Sequence, residues 1–128
     1  MYDQELVSEL LNQILEAARR IRRRFGPVRT PDDFLSSDEG VDRLDAIAMM
    51  LIVLGELTKN LDKATSGTLL ARYPEVDWKG AKGVRDVLSH HYMDLNSDVI
   101  FDICRTFVPP LITTVERMRR ELAADPTV

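Results

Sequence analysis

One cysteine and two histidines occur in 128 residues. A lone Cys104 excludes an intrachain disulfide framework, a thiolate metal cluster and a Cys-x-x-Cys redox pair. It lies among Ile100, Ile103 and Phe107, where a free thiol behaves as a small buried hydrophobe. Basic charge is not in excess: 17 Lys and Arg stand against 21 Asp and Glu, a net −4. Bulk electrostatic attraction to nucleic acid is thereby excluded, and phosphate binding would need a local patch. The longest uninterrupted apolar run, residues 46–54, falls well short of the roughly 20 residues that cross a bilayer. Met1-Tyr2-Asp3-Gln4-Glu5 has neither the basic nor the apolar region of a signal peptide. A reduced, soluble, cytoplasmic protein with no membrane segment is expected.

The apolar fraction is 45% and the charged fraction 30%, as in ordinary globular proteins. A chain of this length folds as one domain and buries roughly two-thirds of its unfolded surface. We expect a single domain over residues 1–124 and a frayed tail at 125–128.

The hydrophobic period is helical throughout, and no stretch alternates as a strand does. Leu6, Leu10, Ile14, Ala17, Ile21 and Phe25 define a first helix, stopped by Gly26-Pro27. Thr30-Pro31-Asp32-Asp33 reads as an N-cap, a first-turn proline and an acidic turn. Ser36 with Glu39 forms a capping box for a long second helix reaching about residue 62. Its middle is apolar on every side, which suits the centre of a bundle or a face of an oligomer. Asp77 caps a third helix running to about Tyr92 despite Gly80 and Gly83. Ser97 begins the last helix, which Pro109-Pro110 must kink or break. The expected fold class is all-α, a bundle of four to five helices.

Both histidines fall in Arg85-Asp86-Val87-Leu88-Ser89-His90-His91-Tyr92. On a continuous helix His91 joins the apolar face, whereas Arg85, Asp86, Ser89 and His90 share the polar side, with Tyr92 on its edge. Asp86 and His90 would be i,i+4 neighbours, a spacing at which a carboxylate favours the charged imidazole. Arg85 and His90 would diverge by about 140°. Aiming both at one phosphate would then need a long arginine reach, an irregular helix end or a second copy across a two-fold axis. Adjacent histidines with no third His or Cys ligand do not form a metal site. Taken singly, Arg85 reads as a solvated surface residue, His91 as a semi-buried histidine and Tyr92 as a staple of the helix end. The run Arg19-Arg20-x-Arg22-Arg23-Arg24 is the local patch able to steer RNA. Equally, it suits a solvated helix C-terminus, where cations complement the dipole.

Arg85-x-x-x-x-His90-x-Tyr92 resembles the signature of the HepT-like toxins of the HEPN superfamily. Thr30-Pro-Asp-Asp-Phe-Leu-Ser-Ser, Glu39-Gly, Arg43-Leu-Asp-Ala-Ile, Gly55-Glu56, Arg72-Tyr-Pro-Glu, Trp78-Lys-Gly, Phe101-Asp-Ile-Cys and Val108-Pro-Pro-Leu are similar to that family too. The resemblance implies a helical bundle that dimerises, so that Arg-His motifs from both copies line one cleft. It further implies a metal-independent endoribonuclease with no cofactor, encoded with a minimal nucleotidyltransferase antitoxin of the MntA type that adenylylates Tyr92. The chain departs from the pattern at Asp86, where HEPN nucleases often carry Asn; a carboxylate there repels phosphate unless it orients His90 or pairs with Arg85.

The chemistry such a site needs is modest. His90 can act as base or acid near neutral pH, and Arg85 offers a forked, permanently charged phosphate ligand. Ser89 and Tyr92 can donate hydrogen bonds. Two other readings stand beside the nuclease: a catalytically silent module that binds and regulates a nucleotidyltransferase, and a purely structural helical oligomer.

Overall fold

The structure is a computed structural model describing residues 3–91 and 94–124; for residues 89–91 and 94 it describes the backbone alone. The expected tail, residues 125–128, lies outside the described residues.

Helix α1 spans Gln4–Phe25. The Asp3 carboxylate accepts the Leu6 N–H at 3.1 Å and so satisfies one of the donors a helix start leaves unpaired. Val7, Leu10, Leu11, Ile14, Leu15 and Ile21 form its buried face, while Arg22, Arg23 and Arg24 crowd the last turn, where the dipole favours cations. After Gly26-Pro27 the chain makes a 3-10 turn over Pro31–Phe34. The Asp33 carboxylate ties this turn by accepting the N–H groups of Arg29 (2.7 Å) and Thr30 (3.0 Å). These two bonds hold its carboxyl below the ordinary value of 3.8.

Helix α2, Asp38–Ala64, starts one residue later than the expected capping box places it. Ser37, not Ser36, accepts the Gly40 N–H at 3.0 Å. The start is set by a close approach. A Cβ on Gly40 would stand 2.1 Å from the Asp33 carbonyl oxygen, so only glycine lets α2 pack on the turn. α2 is the central helix, with α1 along one side and the later short helices along the other. That position accounts for most of its all-round apolar middle: Leu44, Ile47, Leu51, Leu54 and Leu61 are buried, whereas Met49 is 58% exposed. It ends at Ser66 and Gly67, whose φ angles of 53° and 75° turn the chain away, and the Gly67 N–H returns to the Asp62 carbonyl.

The expected helix over residues 77–92 is not continuous. Asp77 does cap it, accepting the Gly80 N–H at 2.9 Å, but α3 is only Trp78–Lys82. The chain breaks at Gly83, forms the single turn α4, Arg85–Leu88, and then becomes extended as β1, Ser89–His91, antiparallel to β2, Asp94–Leu95. The glycines explain the first break, since neither favours helix and Gly55 of α2 requires close packing there. A Cβ on Gly55 would come 2.8 Å from the Ala81 carbonyl and 3.1 Å from Val84. Buried Val84 and Leu88 then anchor α4, and the Asn96 N–H closes on the Leu88 carbonyl at 2.7 Å, ending the helix.

α5, Ser97–Asp102, is capped by Asn96, which accepts the Val99 N–H at 3.1 Å. It runs through a π-helical turn, Ile103–Phe107, into α6, Val108–Ala124. This is how the helix absorbs Pro109-Pro110. The prolines lack N–H donors, so the preceding turn widens and the Val108 N–H bonds back to Ile103. One buried cluster links all these elements, from Val7 to Leu122. Among the described residues no helix is long and apolar enough to cross a membrane. The fold is all-α, with one small strand pair.

Candidate active site

The short elements between α2 and α6 carry the motif residues. From α3 to α5 the chain climbs α2 from its C-terminal half: Lys82 pairs with Asp62 at 2.9 Å, and Ala81 and Val84 lie against Gly55. The base of this segment is tied down. Tyr73 donates to Glu121 of α6, Arg117 stacks over the Tyr73 ring at 5.1 Å and pairs with Glu75, and the Trp78 indole donates to the Tyr73 carbonyl at 2.8 Å. Burial and the Glu121 partner push the Tyr73 hydroxyl up to about 12, so it stays a donor at neutral pH.

Arg85 and Asp86 open α4, and both are exposed. Neither forms an ion pair among the described residues. The helical face that would have grouped Arg85, Asp86, Ser89 and His90 does not exist, because the helix ends at Leu88. The i,i+4 relation of Asp86 and His90 and the 140° divergence of Arg85 and His90 fall with it. The backbone provides a different arrangement. Ser89 faces Leu95 and His91 faces Asp94, with the register shift between them, so His90 is the extra residue of a β-bulge. Bulges occur beside active sites because they re-aim a side chain that regular pairing would fix. One helical turn and two extended residues separate Arg85 from His90, a backbone span of about 11 Å. The side chains of Ser89 and His90 lie outside the described residues, as does Tyr92 entirely.

Sequence reasoning missed an apolar cleft of about 840 Å³ beside α4. Leu51, Leu54, Val84, Val87, Ile103 and Phe107 contribute to its walls. Val87 stands at its edge, 52% exposed, next to the motif arginine. Its signal was visible as one apolar residue too many on a polar turn. Cys104, packed in the core, has its thiol pushed up to about 12 by burial, which removes it as a nucleophile.

The arginine run divides in two. Arg19 pairs with Glu116 of α6 and Arg20 with Glu16, at 2.9 and 2.8 Å. Arg22 and Arg23 are exposed and Arg24 is half-buried at the helix end. Phe25, next in sequence, meets Phe101 of α5 edge-on at 5.2 Å and Phe34 at 6.5 Å. This aromatic trio joins the basic end of α1 to the helix that follows β2.

A family model described as Ribonuclease HepT-like matches residues 4–118. The chain belongs to the HepT-like ribonuclease family. Among curated proteins, this HepT-like chain is 34% identical over 96 residues to a candidate RNase of Methanocaldococcus jannaschii, covering 75% of this chain and 74% of that one. It is 26% identical over 112 residues to another protein of the same organism, named as a gamma-glutamylcyclotransferase and candidate RNase. That match covers 88% of this chain but 47% of the relative, so the chain spans about half of that protein's length. No solved structure matches it at a significant level.

Proposed function

We propose that this chain is a metal-independent endoribonuclease, the toxin of a pair whose antitoxin is an MntA-type nucleotidyltransferase that adenylylates Tyr92. The observation that carries the reading is the placement of Arg85 and the His90 bulge on one short segment, with Arg85 exposed and unpaired among the described residues. Family membership supports the reaction class.

His90 of one copy removes the 2′-hydroxyl proton, and the 2′-oxygen attacks the adjacent phosphorus. The bond to the 5′-oxygen breaks, and that oxygen receives a proton from the imidazolium of the second His90, leaving the first His90 protonated and the second neutral. The products are a 2′,3′-cyclic phosphate and a free 5′-hydroxyl, and no metal ion is needed to balance the step. Arg85 binds the phosphate oxygens with two N–H donors and stabilises the added charge of the phosphorane. Ser89 and Tyr92 assist as donors, and an adenylyl group on Tyr92 would place bulk and negative charge in the path of the RNA. Arg22, Arg23 and Arg24 extend the contact to flanking phosphates; Arg19 and Arg20 contribute less, being held by carboxylates. The experiment is cleavage of single-stranded RNA in excess EDTA. Full activity is expected, with cyclic-phosphate ends; activity restored only by Mg²⁺ or Mn²⁺ overturns the mechanism.

With His90 as both base and acid, the site requires two copies. Val87 and the mouth of the apolar cleft are the surface beside Arg85 that a second copy would cover. Val87→Lys should convert a dimer to a monomer and lower cleavage at least tenfold, measured by sedimentation velocity and RNA assay on the same sample. A monomer that cleaves at full rate would refute the composite cleft.

Exposed Asp86 favours one other reading, a catalytically silent module that binds a nucleotidyltransferase, because a carboxylate beside Arg85 opposes an incoming phosphate.

A further inference from the structure

The outward ridge of α2 takes no part in the site. Val41, Asp45, Met49, Ile52 and Glu56 fall within about 80° of arc on the helix. Met49 is 58% exposed and Val41 38%, Ile52 is half-buried, and Leu35, just ahead of the helix, is 58% exposed. Three of the five large hydrophobics exposed among the described residues therefore lie in this one stretch. Isolated exposed hydrophobics carry no meaning, but a grouped set rimmed by charge marks an interaction surface. The rim is acidic over its N-terminal half, where Asp38, Glu39, Asp42 and Asp45 stand against the single base Arg43. At its far end Glu56 is paired with exposed Lys59 at 3.4 Å. All five acids are exposed, and Arg43 is half-buried.

We infer that this ridge is a docking surface for a protein partner that presents an apolar helical stripe flanked by lysine and arginine. RNA does not fit, because the carboxylates repel phosphate. A second copy of this chain fits less well. A two-fold contact that pairs exposed Val41 with exposed Met49 sets Asp45 of one copy against Asp45 of the other, and like charges so placed oppose association. A head-to-tail contact would need a basic apolar stripe elsewhere on the chain. Among the described residues, exposed Leu6 is flanked by Glu5 and Glu9, and exposed Val87 sits on a single turn beside Asp86. The arginine pairs Arg22-Arg23 and Arg119-Arg120 have no large exposed hydrophobic beside them. Met49 also lies about 120° around α2 from Gly55, where α3 and α4 pack, so the ridge is separate from the motif segment. The inference is independent of RNA cleavage.

The test uses the full chain labelled with ¹³C at its methionine methyls. The probe is a designed 18-residue helical peptide with a leucine stripe flanked by lysines. A second peptide of the same composition has the stripe scrambled. The Met49 methyl is expected to shift on titration with the first peptide, while that of buried Met118 stays in place. Affinity should fall at least tenfold for the scrambled peptide, for Met49→Ser, and for Asp42→Lys combined with Asp45→Lys. These sites are exposed, so circular dichroism should remain unchanged. Equal binding of both peptides, an unchanged affinity of Met49→Ser, or shifts that bypass Met49 would overturn the proposal. Shifts at Met49 on raising protein concentration alone would assign the ridge to a second copy instead.

Discussion

His90→Ala should lower RNA cleavage by at least ~100-fold while the protein stays folded, the usual cost of removing a general acid or base. The fold should survive because buried residues of α1, α2 and α6 build most of the described core. Arg85→Ala should cause a loss of similar size through the phosphate. His91→Ala offers the internal control. His91 holds a paired position opposite Asp94, whereas His90 is the bulged residue, so His91→Ala should keep cleavage within roughly threefold of wild type. Tyr92→Phe should keep most of the cleavage yet escape adenylylation, so its toxicity should persist when the nucleotidyltransferase is co-expressed. The measurements are single-turnover RNA cleavage and growth of expressing cells, each with and without the partner. Equal losses at His90 and His91 in folded proteins would remove the basis for the assignment. Wild-type cleavage by His90→Ala would leave the silent binding module as the better account. A Tyr92→Phe protein still modified and neutralised would sink the regulatory role alone.

Gly40→Ala should be among the most damaging single substitutions. In an open helix this change is favourable by about 1 kcal/mol. Here the new Cβ would lie 2.1 Å from the Asp33 carbonyl oxygen and 3.0 Å from the Phe34 carbonyl group, and all of these are backbone atoms that no rotamer change can move. Either α2 must slide or the turn Pro31–Phe34 must lift, and lifting it disturbs Phe34, which is fully buried. Overpacking of this kind typically costs about 1–3 kcal/mol, and a backbone clash belongs at the top of that range. A loss near 3 kcal/mol should lower the melting temperature by roughly 10 °C for a chain this long. Thermal unfolding followed by circular dichroism measures it. A melting temperature equal to wild type would mean that the junction yields without strain. Gly67→Ala makes a useful comparison, because its Cβ would meet nothing within 4 Å and only its φ of 75° resists the change.

Much of this architecture is legible in the sequence. Strong periodicity located α1, α2 and the last helix, since burying a continuous apolar face is what stabilises helices of that length. Local chemistry located some of the ends: Asp77 caps α3, and glycine and proline stop α1. Cys104 in the core and the kink ahead of Pro109 were legible in the same way. Reading failed where elements are short. The segment 77–92, with helical spacing at Val84, Leu88 and His91, satisfies a helix pattern, yet a few apolar residues cannot outweigh what a strand pair and a neighbouring helix offer.

By itself the sequence determined the all-α class, the long helices and the identity of the motif residues, because periodicity, capping and residue chemistry act within a few positions along the chain. Tertiary structure alone decided four things. It set the start of α2 one residue late, through the contact of Gly40 with Asp33. It divided the arginine run by supplying Glu116 from a distant helix. It opened a cleft beside Val87. And it placed His90 at a bulge instead of on a helical face. Each depends on groups far apart in the chain meeting at a few ångströms, and the energy of such meetings belongs to no local window of sequence.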